Sequence, residues 1–158
     1  MPELSMRSDE NINAYAARLR EMHANGQIST QDYFACCMEK ELTKLYLSAD
    51  NPRAQSGHGS DIYRWRSVQW MILEAVYHDG SFIDVGCANG HLIESLDRWM
   101  RDTDVKVDFY GLEISQGLFD LARHRLPAFA ARLFLGNALY WKPPFAFDYV
   151  YTMILPEI

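Results

Sequence analysis

The sequence lacks both a long apolar run and a secretory leader. No stretch approaches the roughly 18 consecutive apolar residues that a membrane-spanning helix needs. The first residues, MPELSMRSDE, are too polar for the apolar core of a signal peptide. These two absences predict a soluble protein of the cytoplasm that has no membrane partner.

Basic residues are not in excess either. The chain has 15 Lys and Arg against 21 Asp and Glu, so its formal net charge is -6 at pH 7. Electrostatic attraction to nucleic acid or to an anionic membrane is therefore not favoured overall. We expect a small molecule rather than a nucleic acid as the substrate.

Cysteine is scarce, with Cys36, Cys37 and Cys87 as the only three. Cys36 and Cys37 are adjacent rather than spaced as CxxC, and no histidine cluster completes a metal site. We expect no bound metal and interpret all three residues as buried thiols in a reducing compartment. Cys87 has no base beside it in the sequence, so we interpret its side chain as a small filler rather than a nucleophile.

Repeats and low-complexity tracts are also absent, and the pattern changes once, near residue 80. Residues 1–80 read as a helical cap or extension, with a loop at 51–60 on its Pro, Gly and Ser content. Ser29 or Thr30 and then Asp61 are the predicted caps of the second and third helices. The predicted helices have apolar stripes at Ile12, Tyr15, Ala16 and Leu19; at Phe34, Met38, Leu42 and Leu45; and at Trp65, Val68, Ile72 and Val76. We interpret these stripes as core packing rather than as a groove for a partner.

Residues 81–158 alternate between strand and helix. Strands are predicted at 81–85, at 107–112 with Glu113 closing the strand, at 131–135 and at 147–154. The order βαβα predicts an α/β fold with a Rossmann-like parallel sheet and right-handed crossovers. Ligands of such sheets bind beyond the carboxyl ends of the strands, so this is where a site is expected.

The first of these strands ends in a glycine turn, Asp84-Val85-Gly86-Cys87-Ala88-Asn89-Gly90. A strand that enters a glycine turn before a helix is typical of nucleotide-like cofactor sites. A dinucleotide turn reads GxGxxG, and here Ala88 occupies the place of the second glycine. Glu113 also lies further on than the roughly 20 residues expected for a dinucleotide's ribose-binding acid. An NAD(P)-dependent oxidoreductase is therefore the less favoured interpretation.

The same residues resemble the first motif of class I S-adenosylmethionine-dependent methyltransferases, an acid followed by three alternating glycines. Ala88 is the one departure from that motif. YGLEIS, at 110–115, resembles the second strand of the family, and GNALYWKPPFAFDYVYT, at 136–152, resembles its adenine-binding turn and fourth strand. The resemblance covers roughly residues 81–153 and implies S-adenosylmethionine as the cofactor.

The resemblance also implies roles for individual residues. The backbone of the turn, namely Gly86, Cys87, Ala88 and Gly90, is expected beside the methionine part of the cofactor. Asp84 is expected to orient the turn or to accept from the cofactor's ammonium group, and Glu113 to accept from the two ribose hydroxyls. Ile114, Asn137 and Ala138 are expected around the adenine, with Asn137 pairing to its edge and the N–H of Ala138 donating to a ring nitrogen.

Other roles stay open at this point. Arg64 or Arg66 is a candidate for the methionine carboxylate. The Asp/Asn-Pro-Pro-aromatic motif of some methyltransferases is not at the end of the fourth strand, where Tyr151-Thr152-Met153 stands. The acceptor, expected to be a small molecule, and any catalytic base are therefore unassigned.

The family fold has seven strands, whereas four are predicted here. We expect a chain truncated after the fourth strand; a partner that supplies the rest, or self-association through the fourth strand, are the alternatives. A cofactor-binding fragment or interaction module without activity is the alternative to an enzyme.

Overall fold

The computed structural model describes residues 4, 6–37, 43–57 and 62–153. Its helices and strands, in chain order, are α1 (Ile12–Ala24), α2 (Thr30–Phe34), α3 (Thr43–Leu47), α4 (Ile62–Ala75), β1 (Gly80–Val85), α5 (His91–Met100), β2 (Val107–Glu113), α6 (Gln116–Arg125), β3 (Leu133–Leu135) and β4 (Tyr149–Thr152). Short 3-10 helices lie at Ala54–Ser56 and at Pro127–Arg132. No described helix combines the length and the apolar character needed to cross a bilayer.

The four strands form one parallel sheet in the order β3-β2-β1-β4. This order is that of the first four strands of a doubly wound sheet. The predicted Rossmann-like α/β fold with preceding helices is therefore confirmed. The carboxyl ends of β1 and β2 lie side by side, since Val85 pairs with Leu112.

The main core lies between the sheet and helices α4, α5 and α6. Strand β1 runs through the middle of the sheet, and its residues Phe82, Ile83 and Asp84 are all buried. Trp65 and Ile72 of the predicted α4 stripe pack here, beside Leu92, Leu96 and Met100 of α5. Helix α4 thus shares its core with the sheet, while the domain boundary at residue 80 stays a prediction.

Helices α1 and α2 belong to a second, smaller cluster that contains Tyr15, Leu19, Met22, Ile28 and Cys36. The side chain of Ser29 caps α2, as predicted, by accepting from the backbone N–H of Asp32. Leu45 is exposed and does not join a core stripe, so that assignment was wrong. Met38, Leu42 and Asp61 lie outside the described residues, as does the side chain of Ile12.

The third and fourth strands are shorter than predicted. Residues 131–132 belong to the 3-10 helix that begins at Pro127, so β3 starts only at Leu133. Strand β4 starts at Tyr149 because the carboxylate of Asp148 accepts from the backbone N–H of Ser81 at 2.7 Å. β4 is an edge strand of the sheet, and its residue Val150 is 65% exposed.

Candidate functional site

The glycine turn is fastened to the end of β2 by its backbone. The N–H groups of Gly86 and Cys87 both donate to the carbonyl of Leu112, at 2.8 and 3.1 Å. The turn then closes on itself, since the N–H of Gly90 donates to the carbonyl of Cys87 at 2.8 Å. The turn therefore lies at the carboxyl edge of the sheet, where the sequence predicts a site.

Three residues of the turn have a positive φ: 85° at Gly86, 48° at Ala88 and 75° at Gly90. Such angles are readily adopted by glycine and disfavoured for residues with a Cβ. A Cβ on Gly90 would lie 2.5 Å from Leu126, whereas one on Gly86 would meet nothing within 4 Å. A Cβ on Gly90 would thus force the Leu126 side chain to shift, whereas Gly86 borders open space.

Glu113 connects the turn to the start of α6. One carboxylate oxygen accepts from the N–H of Ala88 at 2.7 Å, and the other accepts from the N–H of Ser115 at 2.8 Å. The side chain is buried, with 3% of the residue exposed. Burial raises the pKa of Glu113, and the backbone donors, of which Ser115 is the strongest, partly offset this rise.

Asp84 is the second buried acid of the site, with 4% of its surface exposed. Burial first, and the nearby charge of Glu113 second, raise its pKa from 3.8 to about 7. No described residue offers the Asp84 carboxylate a hydrogen bond or an ion pair. Tyr151 of β4 lies directly opposite in the strand register, and burial and the charge of Asp84 raise the pKa of its phenol.

Cys87 faces away from the open side of the turn. Its Sγ packs against Gly111 of β2, where a Cβ would lie only 2.7 Å from the sulfur. Burial, followed by the charges of Asp84 and Glu113, raises the pKa of this thiol well above its usual value. A neutral, buried thiol agrees with the expected filler and leaves only backbone atoms of Cys87 for contact with a ligand.

The predicted adenine-side residues lie beside the end of β2. The backbone N–H of Gly136 donates to the carbonyl of Glu113 at 2.8 Å, which brings the turn after β3 to this edge. Asn137 is half-buried, and its side-chain oxygen accepts from the N–H of Leu139 at 2.9 Å. Ile114 is half-buried and Ala138 is exposed. The structure thus brings the candidate residues from three strand ends to one edge of the sheet.

Asn89 was not among the predicted site residues, although it lies inside the turn and is 0% exposed. Its amide nitrogen donates to the carbonyl of Pro52 at 2.8 Å, and its side-chain oxygen accepts from the N–H of His91 at 3.1 Å. Its own carbonyl accepts from the guanidinium of Arg125 at 2.6 Å. The one signal in the sequence was an amide side chain within a glycine turn.

The arginine candidates are distributed differently from the prediction. Arg64 and Arg66 are both exposed on α4. Arg53 precedes the short helix Ala54–Ser56, adjoins Pro52 and is half-buried. Its Nε is buried and has no hydrogen-bond partner among the described residues. Arg53 is therefore a third candidate for holding an anion, and the sequence pattern did not indicate it.

No group of three or more His, Cys, Asp or Glu side chains among the described residues is arranged to hold a metal ion. Polar ligands to a bound molecule would come instead from the two buried acids, from backbone N–H groups and from Arg53.

Neither the protein-family models nor the curated proteins contain a match to this chain. Solved structures do match. An S-adenosylmethionine-dependent methyltransferase from Thiobacillus denitrificans, in complex with S-adenosyl-L-homocysteine, is 16% identical with a TM-score of 0.48, covering 73% of this chain and 44% of that one. Its counterpart from Geobacter sulfurreducens, in the same complex, is 16% identical with a TM-score of 0.47, covering 70% and 42%.

A protein-L-isoaspartate O-methyltransferase is 13% identical with a TM-score of 0.47, covering 88% of this chain and 48% of that one. The chain thus spans about half the length of the solved structures it matches. These three solved structures are methyltransferases, and the feature that this chain shares with them is the Rossmann-like α/β fold.

Proposed function

We propose that this chain binds S-adenosylmethionine at the carboxyl ends of β1 and β2 and serves methyl transfer to a small-molecule acceptor. The observation that carries the proposal is a hydrogen bond between the glycine turn and the end of β2. In it, the carboxylate of Glu113 accepts from the N–H of Ala88 at 2.7 Å. This contact supports the proposal because it joins the turn, the carboxylate of Glu113 and the start of α6. A cytoplasmic location stays a prediction from the sequence.

Two features of the residues present support this cofactor. Gly86 borders open space at a φ of 85°, so a ligand can pass close to the backbone there. The half-buried guanidinium of Arg53 has a buried Nε without a partner among the described residues, which suits the carboxylate of an amino acid. Ile114 follows β2, and Asn137 and Ala138 follow β3 at the same edge of the sheet, where we place the adenine.

The charges favour this cofactor over a dinucleotide. Asp84 and Glu113 are both buried, and neither forms an ion pair with a described residue. When ionised, these two acids would repel the pyrophosphate of NAD, whereas they would attract the ammonium and sulfonium groups of S-adenosylmethionine. When bound, S-adenosylmethionine supplies an electrophilic methyl group on its sulfonium.

The residues of this chain would then act by binding and orientation. Asp84 would hold the cationic end of the cofactor. Glu113 has one lone pair left on each oxygen for the ribose hydroxyls while it holds the turn. Fixing the cofactor in one pose contributes proximity, which is the main requirement of an in-line methyl transfer. No described residue is assigned as a base.

The test compares two glycine variants by calorimetry with S-adenosyl-L-homocysteine. Gly86→Ala and Gly26→Ala each place a Cβ at a positive φ, 85° and 68°, where it meets nothing within 4 Å. Both should lose about 1 kcal/mol of stability from backbone strain. We expect only Gly86→Ala to lose affinity, by tenfold or more, because its Cβ enters the space assigned to the cofactor.

The proposal is overturned if the wild-type chain binds NAD, or if it does not bind S-adenosyl-L-homocysteine. A cofactor-binding module without activity is the second candidate, because no described residue is assigned as a base. Methyl transfer from labelled S-adenosylmethionine by the purified chain would exclude that candidate.

A further inference from the structure

Two polar ties connect the stretch Thr43–Gly57, here called the cap segment, to the candidate site. The first is Asn89, whose amide nitrogen donates to the carbonyl of Pro52 at 2.8 Å. The same nitrogen lies 3.5 Å from the side-chain oxygen of Gln55. Asn89 is completely buried by these contacts.

The second tie lies at the start of α6. The hydroxyl of Thr43 donates to the hydroxyl of Ser115 at 2.7 Å, and both groups are buried. Between the ties, the phenol of Tyr46 has a pKa raised by burial and by the charge of Glu113. Tyr46 also lies against Gly57, where a Cβ would come within 2.7 Å of its hydroxyl. The cap segment therefore lies over the carboxyl ends of β1 and β2.

Asparagine suits this position because both the oxygen and the nitrogen of its side-chain amide form hydrogen bonds here. Its oxygen accepts from the N–H of His91 at the first turn of α5, and its nitrogen donates to the cap segment. An acid would keep the first contact and lose the second. A buried polar group that loses its partner is destabilised, so the geometry of the turn and that of the cap segment are coupled.

We propose that Asn89 is a positioning residue that fixes the cap segment on the glycine turn, with Thr43 and Ser115 as the second tie. This inference rests on the proposed cofactor site and deepens it. A ligand that immobilises the turn then also holds the cap segment in place, together with Arg53. Conversely, releasing the cap segment weakens the hold on the ligand.

The test uses Asn89→Asp and a matched control, Asn11→Asp. Asn11 caps α1 by accepting from the N–H of Ala14 at 2.9 Å, far along the chain from the candidate site. Both variants keep the capping oxygen, but in Asn89→Asp a second oxygen faces the carbonyl of Pro52. Two quantities are measured for each protein: the Kd for S-adenosyl-L-homocysteine, and the amide hydrogen exchange of residues 51–57 with and without this ligand.

We expect Asn89→Asp to bind about tenfold more weakly, the effect of one lost buried hydrogen bond. The ligand should slow exchange at 51–57 in the wild type and in Asn11→Asp, but not in Asn89→Asp. A purely structural role for Asn89 would not remove this ligand-dependent protection. If Asn89→Asp does not fold, Thr43→Val removes the second tie without adding charge and should show the same two effects.

The inference is overturned if Asn89→Asp, or Thr43→Val in its place, binds within twofold of the wild type and keeps the protection at 51–57. This result differs from failure of the proposed function, in which the wild-type chain itself shows no binding of S-adenosyl-L-homocysteine.

Discussion

At the scale of single residues, Ala88 holds a backbone conformation that glycine adopts at lower cost. Its φ is 48°, and its N–H donates to Glu113 at 2.7 Å, so the strained backbone serves a contact of the site. A non-glycine residue in this region costs about 1–2 kcal/mol. The methyltransferase motif that this turn resembles has glycine at this position. Alanine can take the same position here, but at a cost in conformational free energy.

A pair of alanine-to-glycine changes tests this strain. Ala88→Gly relieves the positive φ, while it loses a buried methyl and adds freedom to the unfolded chain. We expect these effects to cancel to within about 1 kcal/mol in the free energy of unfolding. Ala122→Gly, in a buried position of α6 with helical angles, lacks the relief and should cost about 1–2 kcal/mol. Urea unfolding of both variants measures the contrast, and an equal loss at the two positions would show that Ala88 is unstrained.

At the scale of elements, α6 is fastened to the glycine turn and to α5 through one side chain. The guanidinium of Arg125 donates to the carbonyl of Asn89 and to the carboxylate of Glu94, each at 2.6 Å. Its side chain is only 15% exposed. Hydrogen bonds of a charged, largely buried group are worth more than exposed ion pairs, so Arg125 should stabilise the turn substantially.

Arg125→Met and Arg101→Met separate the effect of burial from that of distance. Arg101 also forms a 2.6 Å pair, with Asp97 on α5, but its side chain is 71% exposed. We expect Arg125→Met to lower the free energy of unfolding by about 1.5–3 kcal/mol, and Arg101→Met by less than about 0.5 kcal/mol. Chemical denaturation measures both changes. Similar small losses in the two variants would mean that Arg125 does not hold the turn.

Elements with a strong local pattern were predictable from the sequence, and the ties between them were not. The predicted strand at 81–85 and the predicted helix with Trp65 and Ile72 on its apolar stripe are both confirmed, as β1 and α4. β3 was predicted too long because Ala131 and Arg132 are as compatible with a strand as with the 3-10 helix that Pro127 begins. The contact of Asn89 with Pro52 spans 37 positions, and no local pattern encodes it.

The candidate site follows the same division. The strand-end positions of Asp84, Glu113 and Asn137 were predictable because the carboxyl ends of parallel strands meet at one edge. The environments of these side chains were not predictable. The burial of Glu113 and its hydrogen bonds with the N–H groups of Ala88 and Ser115 depend on how the turn folds back onto β2. The sequence pointed to Arg64 and Arg66 rather than to Arg53. Arg64 and Arg66 are exposed on α4 and Arg53 is half-buried, and this difference depends on how the helices pack rather than on local sequence.

At the scale of the whole molecule, the two buried acids link stability to pH. The pKa of Asp84 is about 7 in the folded chain and 3.8 as its ordinary value, so the folded state holds this proton more tightly. Protonated Asp84 stabilises the folded state in full below its ordinary pKa of 3.8, and this stabilisation is lost as the pH rises from 3.8 to about 7. The loss is complete above about pH 7 and amounts to as much as about 4 kcal/mol. Glu113, whose pKa is also raised, acts in the same direction.

Asp84→Asn removes the first of these two titrations. We expect the variant and the wild type to have similar free energies of unfolding near pH 4, and the variant to become the more stable of the two as the pH rises from 5 to 8. Urea unfolding at each pH measures the difference. The variant should also bind S-adenosyl-L-homocysteine more weakly at pH 8, because the ammonium group of this ligand no longer meets the negative charge of Asp84. A wild type that is no less stable at pH 8 than at pH 5 would show that ionising Asp84 does not destabilise the folded state. A variant that is more stable than the wild type but binds S-adenosyl-L-homocysteine equally well would show that Asp84 does not contact the ligand.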